Sequence, residues 1–256
     1  MALLAVERLT RRFGGLMALD EVTVSVERGD TVGLIGPNGA GKTTLFNCIT
    51  GLLRPSAGDI RFGADAPAAL TRMAPHAIVE RGIARTFQNI RLFSGMSALE
   101  NVMIGAHCRT RTGVIGASLR TAASRREENQ VRERAAALLS DVGLAGRESA
   151  PAGSLPFGLQ RRLEIARALA SDPVLLLLDE PAAGLNPTEK QQLLGLIGGL
   201  KSRGLTMLII EHDMRVVMPV SDRVAVLDYG KKIADGPPQR IQQDPAVIEA
   251  YLGAKD

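Results

Sequence analysis

Between residues 3 and 9, and again between 22 and 28, apolar and polar residues alternate with the period of a strand that buries one face. Phe13-Gly14-Gly15, lying between the two segments, reads as a turn, so the chain is predicted to open with an antiparallel pair. Thr31 to Ile35 has the composition of a short buried strand and leads into a glycine-rich loop. A helical segment follows from Thr43 to Gly51, with the glycine as its stop signal. Further short strands are predicted at 58–63 and 83–87, and a helical pattern from about 89 to 143, in which Ser97 caps a helix that reaches His107. From Leu163 the rhythm becomes regular: helix to Ala170, strand at 174–178, helix at 188–202, strand at 206–210, helix at 213–220, strand at 223–227. Strands alternating with helices imply a parallel sheet covered on both faces, so the fold class is α/β.

Composition narrows this picture only at a few points. A chain of 256 residues suits one large α/β domain, or a core with one insertion, and its 45% hydrophobic and 23% charged residues exclude disorder. The net charge of +4 is too mild to indicate nucleic acid as a partner. Cys48 and Cys108 form no CxxC pair, which argues against a disulfide framework or a zinc site and for a reducing compartment. The opening MALLAVERLT has too short an apolar run and too early a charge at Glu7 for a signal peptide. The apolar run at 174–178 is far below the ~20 residues of a spanning helix, so action at a membrane would need another chain as anchor. The stretch from Arg109 to Arg134 carries seven arginines, which read as a solvated helical face, with a partner-binding surface as the other reading.

The chemistry is concentrated in two places. Gly36-Pro37-Asn38-Gly39-Ala40-Gly41-Lys42-Thr43, followed by Thr44, matches a phosphate-binding loop between a predicted strand and a predicted helix. Its glycines allow backbone N–H groups to curl around a β-phosphate, Lys42 can reach the β and γ oxygens, and Thr43 offers a hydroxyl to Mg²⁺. Downstream, the apolar strand at 174–178 runs into Asp179, placed to hold Mg²⁺, and Glu180, placed to act as general base on an attacking water. These elements indicate a P-loop NTPase or kinase.

From Leu3 to Gly253 the order and spacing of further residues resemble ABC-type ATPase subunits. Gln88 in RTFQNIRLF falls at that family's Q-loop glutamine, which contacts metal and water, and His212 in IIEHDM at its switch histidine. Phe13 falls at the ring that stacks on adenine, Leu155-Pro156-Phe157-Gly158-Leu159 at the LSGGQ signature, and Ala183-Gly184-Leu185-Asn186 at the D-loop. The resemblance implies a P-loop NTPase (RecA-like) parallel-sheet core with an N-terminal antiparallel β subdomain and an inserted helical subdomain. Core and β subdomain would occupy 1–88 and 163–256, and the helical and signature part 89–162, with a basic insert at about 106–135. Two departures stand out. Pro156 and Leu159 replace the signature's Ser and Gln donors, leaving backbone N–H groups near Phe157 and Gly158 and the dipole of the next helix to grip a γ-phosphate. Asn186 replaces the usual D-loop Asp and loses its charge.

The wording of ERLTRRFGGLMALDEVTVSVERGD, ARTFQNIRLFSGMSALENVMIGAH, FGLQRRLEIARALA and EHDMRVVMPVSDRVAVLDYGKKIADG is similar to the ATP-binding subunits of branched-chain amino acid importers. That likeness implies ATP and Mg²⁺ as cofactors, transmembrane permease subunits and a second ATP-binding subunit as partners, and indirectly a substrate-binding protein. It also implies a peripheral position on the cytoplasmic face of the inner membrane and no nucleic acid. Urea or amide importers and the lipopolysaccharide-export ATPase have similar wording. A soluble ABC ATPase acting on nucleic acid or ribosomes fits less well, because the chain has a single P-loop and no coiled-coil heptads. A small-molecule P-loop kinase would leave Gln88, the 155–159 segment and His212 unexplained.

Overall fold

The computed structural model describes residues 2–109 and 122–252. β1 (Ala2–Phe13) and β2 (Leu16–Glu27) pair antiparallel, with Val6 opposite Val24 and Phe13 opposite Leu16. β4 (Ala57–Phe62) adds to the other edge of β1 and the short β5 (Ala68–Ala69) to β4, giving a four-stranded antiparallel sheet in the order β2-β1-β4-β5. The second sheet has six strands. β3 (Thr31–Ile35), β6 (Ile83–Arg85), β7 (Leu175–Asp179), β8 (Thr206–Ile210) and β9 (Arg223–Asp228) run parallel, and β10 (Lys231–Gly236) returns antiparallel at the edge, in the order β10-β9-β3-β8-β7-β6.

The centre of this second sheet is apolar on both faces, as parallel strands between two layers must be. Every residue of β3, β7 and β8 is buried, and successive side chains enter different cores. Leu175, Leu177, Leu208 and Ile210 join a cluster with Leu4, Leu9, Val24, Leu45 and Phe46, which seats the antiparallel sheet and α1 (Lys42–Ile49) on one face. Leu176, Leu178, Met207 and Ile209 face Ile165, Ile197 and Val216, so the other face is covered by α5 (Phe157–Leu169), α6 (Pro187–Ser202) and α7 (Met214–Val220).

The helical arm has its own core. α3 (Ala98–Gly105), α4 (Ala122–Asp141) and α5 bury Val102, Leu139, Leu144 and Leu163 together. Because Ile165 and Leu169 of the same α5 lie in the sheet-facing cluster, this helix is shared by both cores. Ser97 caps α3 as expected, in a full capping box with Glu100.

Several boundaries differ from the sequence reading. Residues 89–97 are not helical: the Asn101 side chain accepts from the Phe93 N–H and donates to the carbonyls of Phe93 and Ser97, which holds this stretch as an irregular strap. α3 ends at Gly105, before His107, and α5 begins at Phe157, six residues before the predicted start, because Pro156 is acceptable at a cap but not within a helix. The middle of the basic insert, 110–121, lies outside the described residues. α2 (Pro75–Glu80), β10, α8 (Pro238–Ile241) and α9 (Pro245–Leu252) were not anticipated from the pattern, β10 because its KKIADG has no alternation. No helix among the described residues is long and apolar enough to cross a membrane.

Gly105 shows how tightly the arm is packed: a Cβ there would fall on the Arg167 carbonyl oxygen of α5. Gly105→Ala is expected to destabilise the protein by about 1–3 kcal/mol despite alanine's better helix propensity, and urea denaturation should report it as a lowered midpoint.

Candidate active site

β3, β6, β7 and β8 are neighbours in the parallel ladder, so their carboxyl ends lie along one edge of the sheet. Each runs into a segment that the sequence singled out: the glycine-rich loop after Ile35, Gln88 after Arg85, Glu180 after Asp179, and His212 after Ile210. Ligands of open α/β sheets bind outside such an edge.

The loop between β3 and α1 keeps its shape through backbone that only glycine accepts readily. Gly36, Gly39 and Gly41 have φ of 151°, 82° and 101°, and a Cβ on Gly41 would stand 2.5 Å from the Ala18 carbonyl oxygen. Pro37 is half-buried, Ala40 is buried, and Asn38, Gly39 and Thr43 are exposed, with Thr44 partly so. No side chain caps α1, so its first-turn N–H groups are left to an anion. The Lys42 ammonium, 6% exposed, donates to the carbonyls of Gly36 and Pro37 at 2.7 and 2.8 Å. Burial pulls it below the usual lysine range, opposed by the charges of Glu180 and Asp179.

Asp179 closes β7 and is 1% exposed. One oxygen, Oδ2, accepts from Arg85 at 2.7 Å, and the other, Oδ1, is buried with no hydrogen-bond partner. A buried carboxylate oxygen left without a partner is a poor arrangement for a protein alone and a suitable one for a hard cation such as Mg²⁺. Glu180, the next residue, sits at a left-handed φ of 45°, uncommon for a non-glycine residue. Its Oε2 accepts from Gln88 Nε2 at 3.0 Å and lies 3.8 Å from His212 Nδ1. The fold thus brings together a carboxylate, an amide and an imidazole from three different strand ends.

The remaining sequence candidates lie apart from this group. Phe13 ends β1 at the hairpin tip, 41% exposed, with the Arg11 guanidinium 4.5 Å from its ring centroid. Leu155 is packed in the core of the helical arm, Pro156 is the N-cap of α5, and Phe157, 47% exposed, and Gly158 form its first turn, where no side chain supplies a cap. Asn186 caps α6, its Oδ1 accepting from the Glu189 N–H at 2.9 Å, so its side chain is engaged within the chain.

Four buried charged residues were missed. Arg85 donates to Asn47, Thr50 and Asp179. Arg161 donates to the carbonyls of Phe87 and Gln88 and to Glu164, which itself accepts from the N–H groups of Phe87 and Arg91, so α5 holds the strap that carries Gln88. Glu211, wholly buried, accepts from the Ala182 N–H at 2.8 Å. Burial pushes the carboxyls of both Glu164 and Glu211 above the usual range. The signal was available for Arg85 and Glu211: a charge inside or just after an apolar strand must have a partner.

Removing one member of the Arg85–Asp179 pair strands the other in the interior. Arg85→Met is expected to lower stability by about 3–5 kcal/mol, with a substantial part restored in the double variant Arg85→Met/Asp179→Asn, as read from denaturant midpoints.

Comparison with known proteins gives these groups their context. Residues 19–183 match the family model described as ABC transporter, and residues 231–256 match one described as branched-chain amino acid ATP-binding cassette transporter. The chain is 46% identical to the high-affinity branched-chain amino acid transport ATP-binding protein BraF of Pseudomonas aeruginosa and 44% identical to LivG, of the same description, from Escherichia coli. Each alignment covers 98% of both chains. An ATP-binding cassette of an ABC transporter, solved in its ADP conformation, superposes with a TM-score of 0.85 at 35% identity and 99% coverage of both chains. A P-loop backed by Asp179 and faced by Glu180, Gln88 and His212, on a fold and a sequence shared along their whole length with these proteins, means that this chain belongs to the ABC transporter family as an ATP-binding cassette.

Proposed function

We propose that the chain is the ATP-hydrolysing subunit of an importer for branched-chain amino acids, the cargo named for its relatives BraF and LivG. The observation that carries the hydrolytic reading is the convergence of Gln88, Glu180 and His212 beyond the strand ends, next to the loop that holds Lys42. In this reading, loop N–H groups and Lys42 bind the β- and γ-phosphates while the adenine stacks on Phe13. Glu180 takes the proton of the attacking water, Gln88 orients Glu180 and that water, and His212 steadies the γ-phosphate. Thr43, Gln88 and Asp179 are the residues that would hold Mg²⁺, whose charge, when bound, offsets that of the phosphate oxygens.

Two copies, or this chain and a similar ATP-binding subunit, close head to tail so that the N-terminus of α5 faces the partner's nucleotide. Pro156 and Leu159 contribute no side-chain donor there, which leaves the grip to the Phe157 and Gly158 N–H groups and to the helix terminus. Closure is passed to transmembrane permease subunits, which anchor the chain at the cytoplasmic face of the inner membrane and receive cargo from a substrate-binding protein.

Two measurements test this reading. Glu180→Gln should keep ATP affinity within about 3-fold while turnover falls by about 10²-fold or more, and near-normal turnover would refute the role of Glu180. The specific activity of the wild-type chain, followed across a protein concentration series with Mg²⁺ and a Lys42→Ala control, should rise with concentration if the site is completed by a second subunit. A specific activity independent of concentration would count against the composite site.

A further inference from the structure

Glu211 is a costly residue to bury. It stands immediately after β8 with 0% of its surface exposed, and no lysine or arginine pairs with it among the described residues. Its two oxygens are used separately. Oε1 accepts from the Ala182 N–H at 2.8 Å, and Oε2 accepts from the His212 N–H at 3.3 Å while lying 3.9 Å from His212 Nδ1. Ala182 is two residues beyond Glu180, in the turn that leaves β7, so one carboxylate is bonded at once to the turn carrying Glu180 and to the turn carrying His212.

The surroundings make this tie consequential. Glu180 holds a left-handed backbone at φ 45°, a conformation that persists only where neighbouring groups impose it. Its own N–H is bonded to the Ile210 carbonyl at 3.0 Å, on the other side of Glu211 in sequence, and the Glu211 N–H reaches Leu34 of β3 at 3.4 Å. Glu180 Oε2 and Glu211 Oε2 stand 3.8 and 3.9 Å from the same imidazole nitrogen. A side chain needed only to fill space would be apolar here, since an uncompensated buried carboxylate is strongly disfavoured.

We propose that Glu211 is a positioning residue for hydrolysis, which fixes the separation and orientation of Glu180 and His212 by bonding both of their turns. It touches no reacting atom. The proposal rests on the roles given above to Glu180 and His212, and the role of Glu180 has its own test in Glu180→Gln, so failure of that reading can be told from failure of this one.

The experiment compares Glu211→Ala, which removes both bonds, with Glu211→Gln, which keeps an oxygen for the Ala182 N–H and turns an amide group toward His212. Steady-state kinetics, equilibrium ATP binding and thermal unfolding are measured on the full chain. Glu211→Ala should lower kcat by about 10- to 100-fold, as small displacements of catalytic groups do, with KM and ATP affinity within about 3-fold of wild type. Glu211→Gln should lose less, about 3- to 10-fold, because it keeps the Ala182 side of the tie and loses the His212 side. The proposal is overturned if Glu211→Ala keeps kcat within about 3-fold, if ATP affinity falls in step with kcat, or if the two variants are equally impaired. Should the alanine variant not fold, the glutamine variant decides alone: lowered kcat with retained ATP affinity supports the tie, and unchanged kcat removes it.

Discussion

A strand buried on both faces can carry polar groups only where it ends, and the site is a consequence of that constraint. β3, β7 and β8 are sealed between two hydrophobic cores, so nothing charged is tolerated along them until Asp179, Glu180 and Glu211. Parallel pairing then does the rest, because strands running the same way put those ends at one edge. The ladder register sets Asp179 opposite Ile210, and Leu34 opposite Ile210 from the other side, so the glycine-rich loop, the acidic pair and the histidine are neighbours before any side chain is chosen. Arg85 likewise closes β6, and its buried charge is acceptable because Asp179, Asn47 and Thr50 take its donors while the rings of Phe46 and Phe87 lie 5.4 Å from its guanidinium.

The helical arm is attached to this edge through α5. Its buried Arg161 and Glu164 bind the backbone of the strap at Phe87, Gln88 and Arg91, so the segment bearing Gln88 is held from the arm as well as from the sheet. At its N-terminus Phe157 lies over Gly184, where a Cβ would stand 3.0 Å from the ring, and Gly158 lies against Glu189 of the α6 cap. Movement of the arm relative to the sheet would therefore be felt at three places: the strap, the turn after Glu180, and the start of α6.

Much of this was legible in the sequence, and the pattern of success is itself physical. The strands at 31–35 and 206–210 were read to the residue, and those ending at 179 and 228 within one residue, because a short, mostly apolar run has few alternatives. The glycine-rich loop was legible because backbone geometry selects residue type there. The strap at 89–97 was not, since its shape depends on the Asn101 side chain and on α5, both remote from its own composition. Arg161 and Glu164 were passed over, because an i, i+3 pair of opposite charges is most often solvated, and nothing local reveals that this one is 1% exposed.

The left-handed backbone at Glu180 carries a consequence for how the protein can evolve. A non-glycine residue at this φ forfeits about 1–2 kcal/mol that glycine would keep, and asparagine tolerates it better than glutamate. With Glu180 as the general base proposed above, fold stability and chemistry pull in opposite directions at one codon. A population screened only for heat resistance would drift at position 180 toward residues that cannot accept a proton, and would accumulate well-folded, inert proteins.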